Sequence, residues 1–305
     1  MTVADDLGGS GGNRHGPESS STGMDSWPAP GVTTLFGPSS VSWRVHADPV
    51  FPIAGVRALI LQALHPTAVA GVAQHTGFRE DFWGRLDRTG RYVSTLTYGP
   101  ASEARKLAAR IRGVHRRLRG IDPDTGREFP LDRPDLLLWV HCCEIESFLS
   151  TVRRAGNPLS PADADAYVAE QVMSAELIGL PADLVPASVA ELHAYFTAVR
   201  PRLRLTDTAK DGIRTLTIPP MKAWVQLLTP ARPAWTVLAG AALATLPRWA
   251  RRMYRLPALP TTDLAATAAL RALRSAAVAL PDAISGPPEV RRARALMAAA
   301  DTGAA

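Results

Sequence analysis

Seven histidines occur in this chain, and a metal or haem site needs one held neutral with a ring nitrogen free to donate its lone pair. His115 is the best placed. On a helical wheel it borders the apolar stripe Leu107, Ile111, Val114 and Leu118, so its ring turns toward a core while still reaching a cavity edge. Arg112 and Arg119, three residues before it and four after, share that side. Two cations there disfavour the imidazolium, and their guanidinium groups suit carboxylates such as haem propionates. A border histidine satisfied by hydrogen bonds would show the same spacing.

Upstream, Arg85, Arg88 and Thr89 are related by steps of three and four and project together from one helix. Two guanidinium groups and a hydroxyl suit an anionic ligand or a bound oxygen species, although a solvated arginine face has the same pattern. His141, beside Cys142, Cys143 and Glu144, fits a buried histidine bonded to a neighbour as well as it fits a ligand. There is no Glu-x-x-His pair, Gly-x-Ser-x-Gly elbow, phosphate loop, dinucleotide fingerprint or paired-cysteine motif. A ferritin-like di-iron bundle, a serine hydrolase, a nucleotide enzyme and a zinc finger are therefore disfavoured.

The elements that would position these groups are helices. From Trp43 onward, apolar residues recur at helical spacing in segments broken by proline and glycine, with no convincing strand-like alternation. The spacing predicts helices at 53–64 and 67–75, interrupted by His65-Pro66. Another runs from about Arg79 to Leu96, with Phe82, Leu86, Thr89, Val93 and Leu96 on one face. The helix carrying His115 runs from the N-cap Ser102 to Arg119. Pro134 to Arg153 is apolar all round in its first half, as a central helix is, and Ser160-Pro161-Ala162-Asp163 starts a helix that ends near Gly179. Further helices are expected at 187–199, 207–216, 222–229, 234–253, 262–279 and 288–299. The uncharged stretch from Pro233 to Pro247 is short for a bilayer span and reads as a core helix.

The composition, 46% hydrophobic and 20% charged, is that of a globular chain. Residues 1–30 hold sixteen Gly, Ser, Thr or Pro and few large apolar side chains, too little to offset the entropy of ordering, so they read as a disordered tail before one helical domain at 31–300. The two cysteines are adjacent, a spacing that rarely permits a disulfide, and no secretory or twin-arginine signal is visible. A cytoplasmic location is expected. The net charge of +6 gathers in 105–119, 248–255 and 291–294. In 248–255, Trp249 and Tyr254 interleave with Arg248, Arg251, Arg252 and Arg255, which suits peripheral membrane contact or a snorkelling solvated face.

Five blocks in order resemble the catalytic domain shared by latex-clearing rubber oxygenases and the MpaB-type oxygenase of the fungal endoplasmic reticulum. They are Trp43-Arg44-Val45-His46, Arg57 through Pro66, His75 through Arg79 with Gly84 through Thr89, Val114 through Gly120, and Leu137-Leu138-Trp139-Val140-His141. The resemblance runs from about Trp43 to Leu256. It implies an all-α, multi-helix bundle enclosing haem b, with His115 as proximal iron ligand and Arg85 and Thr89 in the haem pocket. Arg88 stands where the latex-clearing branch has a lysine. Arginine keeps its charge and cannot ligate iron, so the distal position falls to water, dioxygen or another residue. The upstream glutamate of that branch has no counterpart, since no carboxylate occurs between Arg57 and Arg79. The implied function is a haem-dependent oxygenase using dioxygen and an electron donor on a small lipophilic substrate, such as an alkene or isoprenoid. The rivals are a haem or lipid carrier without turnover, and a basic helical protein binding nucleic acid or a membrane surface. A nucleic-acid partner is not expected.

Overall fold

Proline and glycine punctuate the chain where the sequence places them, and nearly everything between is helical. The computed structural model describes residues 31–75, 81–281 and 286–301; the tail at 1–30 lies outside the described residues. Helix α1 (Val41–His46) is followed by α2 (Phe51–Gln62) and α3 (Pro66–His75), which meet at 108° because His65 precedes a proline. Next come α4 (Phe82–Tyr98) and α5 (Ala101–Arg117), joined through Gly99-Pro100, and then α6 (Pro134–Arg154) and α7 (Pro161–Ile178). The second half holds α8 (Val189–Val199), α9 (Asp207–Thr217), α10 (Ala223–Leu228), α11 (Ala231–Thr245), α12 (Arg248–Met253), α13 (Pro260–Val278) and α14 (Pro288–Asp301). The bundle is all-α apart from one small hairpin.

That hairpin corrects the expected course of the chain after His115. The helix ends at Arg117 rather than Arg119, and β1 (Arg119–Ile121) pairs antiparallel with β2 (Glu128–Pro130), Gly120 opposite Phe129. The Asp122 carboxylate accepts from the backbone N–H groups of Asp124 and Thr125, an Asx turn that reverses the chain. A Cβ at position 120 would lie 2.6 Å from the Phe129 ring, so only glycine allows the ring to lie across that strand. The helix expected at 234–253 is likewise two. Leu246 precedes Pro247 and is extended (ψ 151°), so α11 stops and α12 restarts.

Helix α6 is central, packing most extensively on α2 and also on α7, while α11 covers the far side of α2. Trp139, Cys142, Cys143, Ile145 and Val152 of α6 join Ile60, Leu61 and Leu64 in the main core. Each large side chain so buried contributes roughly 1.5–3 kcal/mol. His46 ties three helices together, with Nδ1 2.7 Å from the Thr97 hydroxyl and Nε2 3.0 Å from that of Tyr167. Burial pushes its pKa down to about 3, so it is a neutral structural hub.

Arg57 of α2 is buried and donates to both carboxylate oxygens of Glu146, to the Ser147 hydroxyl and to the Thr245 carbonyl. Nearby, Asp263 pairs with Arg154, Arg248 and Arg251. These groups surround a polar cavity of about 350 Å³ whose cations are already engaged. The 248–255 stretch is therefore divided between core and solvent. Arg251 is buried, Tyr254 donates to the Ile60 carbonyl and Trp249 lies under the Arg200 guanidinium, so only Arg252 and Arg255 stay exposed for a headgroup surface apart from the ion-paired Arg248.

The start of α7 follows the sequence closely. Ser160 accepts from the Asp163 N–H at 3.0 Å, and the Asp163 carboxylate accepts from the Ser160 N–H at 2.8 Å, a reciprocal capping box. Gly179, at φ 104°, ends the helix. Ser160→Ala is expected to cost about 1 kcal/mol, visible as a lower denaturant midpoint with an unchanged slope.

Candidate functional site

The arms α4 and α5 leave Pro100 in opposite chain directions. Arg85 lies fifteen residues before it and His115 fifteen after, so each stands roughly 22 Å along its arm at 1.5 Å per residue. Both helices bear the apolar stripes that the sequence predicts. Yet Tyr92 and Val93 on α4 and Leu107, Ile111 and Val114 on α5 are only half-buried, and none of them belongs to a core cluster. The arms pack on each other, α5 also packs on α7, and neither lies closely against α6. The apolar side chains of these two arms thus keep part of their surface uncovered.

His115 stands in the last turn of α5, half-buried. Its Nδ1 is buried without a hydrogen-bond partner, which is unusual because buried polar atoms are nearly always paired. Desolvation lowers its pKa, partly opposed by the Asp132 carboxylate. The neutral imidazole is thus a consequence of burial. Arg112 donates instead to the Leu177 carbonyl at 2.9 Å, closing the C-terminal end of α7, and Arg119 is an exposed β1 residue that donates to the Arg116 and Leu118 carbonyls. The expectation that both arginines share the helical face of His115 is corrected for Arg119, which lies beyond the helix.

Arg85 and Arg88 also part company. Arg88 is exposed and paired with Asp81 at 2.8 Å. Arg85 is half-buried, its pKa lowered to about 10 by desolvation and then by Arg88, and it remains a cation at neutral pH. Thr89, one turn on, donates to the Arg85 carbonyl at 3.0 Å. The structure therefore turns one arginine inward and the other to solvent, rather than converging all three groups.

Arg85 lines a second cavity, of about 480 Å³. Leu59 of α2 and Ala63 just after it, Val69 and Val72 of α3, Val140 of α6 and Leu216 of α9 give it apolar walls, with Gln62, Asp207, Thr208, Asp211 and Thr215 among its polar groups. Such a mostly apolar cavity with a few placed polar groups is the ordinary form of a small-molecule site.

One group on α6 was not singled out as a site residue from the sequence. Glu144 retains some accessible surface although protein surrounds it. Its carboxylate accepts from Gln62, but desolvation dominates and raises its pKa to about 7. His141, one turn before, is buried with Nε2 unpartnered, and burial lowers its pKa to about 4. The only sequence signal was an acid three residues after a histidine within an apolar helix.

Glu144 should report its burial through pH. Between 4.5, its ordinary value, and about 7, the folded chain holds a proton that the unfolded chain has released. Stability therefore falls as pH rises through that window. Glu144→Gln removes this contribution. The variant should be more stable than the parent by about 2–3 kcal/mol at pH 8, the gap closing toward pH 4.5. Denaturant titrations at several pH values check this, and a gap that does not vary with pH would contradict it.

Among the described residues no group of three or more His, Cys, Asp or Glu is placed to hold a metal ion. The unpartnered imidazole of His115 and the half-buried apolar side chains of α4 and α5 fit a haem ligand and its apolar surroundings. No single helix among the described residues is long and apolar enough to cross a membrane.

No curated protein and no solved structure matches the chain. The family described as ER-bound oxygenase mpaB/B′/rubber oxygenase, catalytic domain, matches residues 43–279, from the first buried tryptophan of α1 to the end of α13. All the groups described above fall within that span, and the chain belongs to this family of oxygenase catalytic domains.

Proposed function

We propose that this oxygenase domain depends on haem b, held through His115, and acts with dioxygen on a small lipophilic substrate. The observation that carries the reading is the buried, unpartnered Nδ1 of His115 on a helix whose apolar stripe is only half-buried. When bound, haem supplies an iron centre at which dioxygen is activated. The chain supplies the environment. Burial keeps the His115 imidazole neutral and able to ligate. Leu107, Ile111, Val114, Tyr92 and Val93 offer apolar surface to a flat macrocycle. Arg85, which shares its cavity wall with Gln62, Asp207 and Asp211, would orient a carboxylate or a polar substrate end, and Thr89 fixes its turn of α4.

Arg88 would take no part in holding the haem, because it is ion-paired with Asp81 at the surface. Glu144, with its pKa near neutrality, is the group in this region best able to hold or release a proton. The cavity walls favour a hydrocarbon such as an alkene or isoprenoid over a sugar or nucleotide. Electrons come from a separate donor, and the reaction belongs in the cytoplasm.

The test is an absorption spectrum with haem and iron analysis on protein made with ample haem, followed by oxygen uptake with candidate alkenes. A Soret band at one haem per chain and substrate-dependent uptake are expected. Protein that stays colourless after haem reconstitution would overturn the reading, and haem binding without uptake across the alkene panel would reduce it to a carrier.

A further inference from the structure

Between Gly212 and Thr262 the chain holds seven Lys or Arg and no Asp or Glu. The same stretch exposes large apolar side chains. Ile218 is 56% exposed, Trp224 58%, Leu228 80% and Val237 52%. Exposed apolar groups gathered on one surface and rimmed by cations mark an interaction site more often than a solvated face.

The fold gathers them. Ile218 follows the last turn of α9, α10 rests on α11, and Trp83 donates its indole N–H to the Pro220 carbonyl at 2.6 Å. That indole also meets Trp235 of α11 edge to face, 5.0 Å between centroids, so the loop before α10 is pinned to the bundle. The outward positions of α11 bear no charge, being Pro233, Ala234, Thr236, Val237 and Gly240, while Trp235, Ala239 and Ala242 turn inward. This corrects the expectation of a core helix, since α11 buries one face only. Arg214, Lys222 and Arg232 stand around the surface, the first two exposed. Along the chain the acids flanking this stretch are Asp211, in the middle of α9, and Asp263.

We propose that the end of α9, α10 and the outer face of α11 form a docking surface for an anionic lipid bilayer. Trp224 and Leu228 would enter the headgroup and acyl boundary, where amphipathic aromatic rings are favoured. Arg214, Lys222 and Arg232 would meet the anionic headgroups. The charge pattern selects lipid over a second copy of this chain, because two such faces would oppose cation to cation with no acid to pair them. The partner is the bilayer surface itself and not a span, and the inference does not require haem. It also gives α9 two roles, since Asp207, Thr208, Asp211, Thr215 and Leu216 line the 480 Å³ cavity and the helix then runs directly into the docking face.

Co-sedimentation of the full chain with vesicles of phosphatidylcholine alone, and with phosphatidylglycerol added, tests this. Binding is expected to the anionic vesicles, to weaken with salt, and to be slight with phosphatidylcholine. Each cation near an anionic surface is worth about fivefold in affinity, so Lys222→Glu should lose fivefold or more. Trp224→Ser with Leu228→Ser should lose tenfold or more. Both variants should keep their helicity, because these side chains are exposed, and Lys106→Glu on α5 should bind as the parent does. The proposal is overturned if the parent stays in solution with anionic vesicles at low salt, or if the variants bind unchanged. It is equally overturned if the parent shows no vesicle binding but self-associates in sedimentation velocity and Trp224→Ser with Leu228→Ser abolishes that.

Discussion

Replacing His115 by alanine is expected to remove most of the bound haem while leaving the bundle helical. Loss of a group that merely supports a metal ligand costs roughly 10–100-fold in affinity, and loss of the ligand itself should cost more. Imidazole in the buffer should restore part of the spectrum, because the space left by the ring admits a free donor. The cofactor-free protein supplies the complementary test. A buried polar atom without a partner costs about 1–3 kcal/mol, and His115 Nδ1 is such an atom. His115→Leu should therefore leave the haem-free chain as stable as the parent or more so. A residue kept for packing would behave in the opposite way, with stability falling by several kcal/mol and haem retention unchanged, and that outcome would sink the ligand assignment.

The second large effect is structural and lies at Arg57. Its guanidinium is buried against Glu146, Ser147 and the Thr245 carbonyl, joining α2, α6 and the end of α11. Arg57→Met leaves Glu146 without its cation and the Thr245 carbonyl without that donor. Breaking one side of a buried pair costs about 3–5 kcal/mol, so equilibrium denaturation should show a loss of that size. Removing both charges is a different matter, because the desolvation of the ion pair disappears with it. Arg57→Met with Glu146→Leu should recover most of the loss, and the interaction term of this double-mutant cycle should exceed 2 kcal/mol. If the losses of the two single variants simply added in the double, leaving an interaction term near zero, Arg57 would matter for its shape and its hydrogen bond to α11 rather than for the ion pair.

Sequence by itself determined the helices, because their signals are local. Ser160, Pro161 and Gly179 fix both ends of α7 through backbone chemistry that any neighbour would leave intact, and His65-Pro66 breaks α2 from α3 for the same reason. It also singled out His115 and Arg85, since a border position on an apolar stripe follows from the 3.6-residue period alone. The same period could not settle which way a long cation turns. Arg85 and Arg88 differ by one step on α4, yet Asp81 holds Arg88 in solvent while the gathering of α2, α3, α6 and α9 encloses Arg85. Arg112 was taken by a carbonyl sixty-five residues away and Arg119 by a hairpin whose geometry rests on Phe129 lying over Gly120.

Tertiary structure alone gave Glu144 its raised pKa, because desolvation depends on what surrounds a carboxyl and not on its neighbours in sequence. It also buried Arg251 against Asp263 while leaving Arg248, Arg252 and Arg255 exposed, and left Trp224 and Leu228 of α10 outside. Local pattern states what a segment can bury. Which of those faces is in fact covered depends on contacts between elements far apart in the chain, and the proposed roles of His115 and of the docking surface both rest on apolar faces that the bundle leaves partly open.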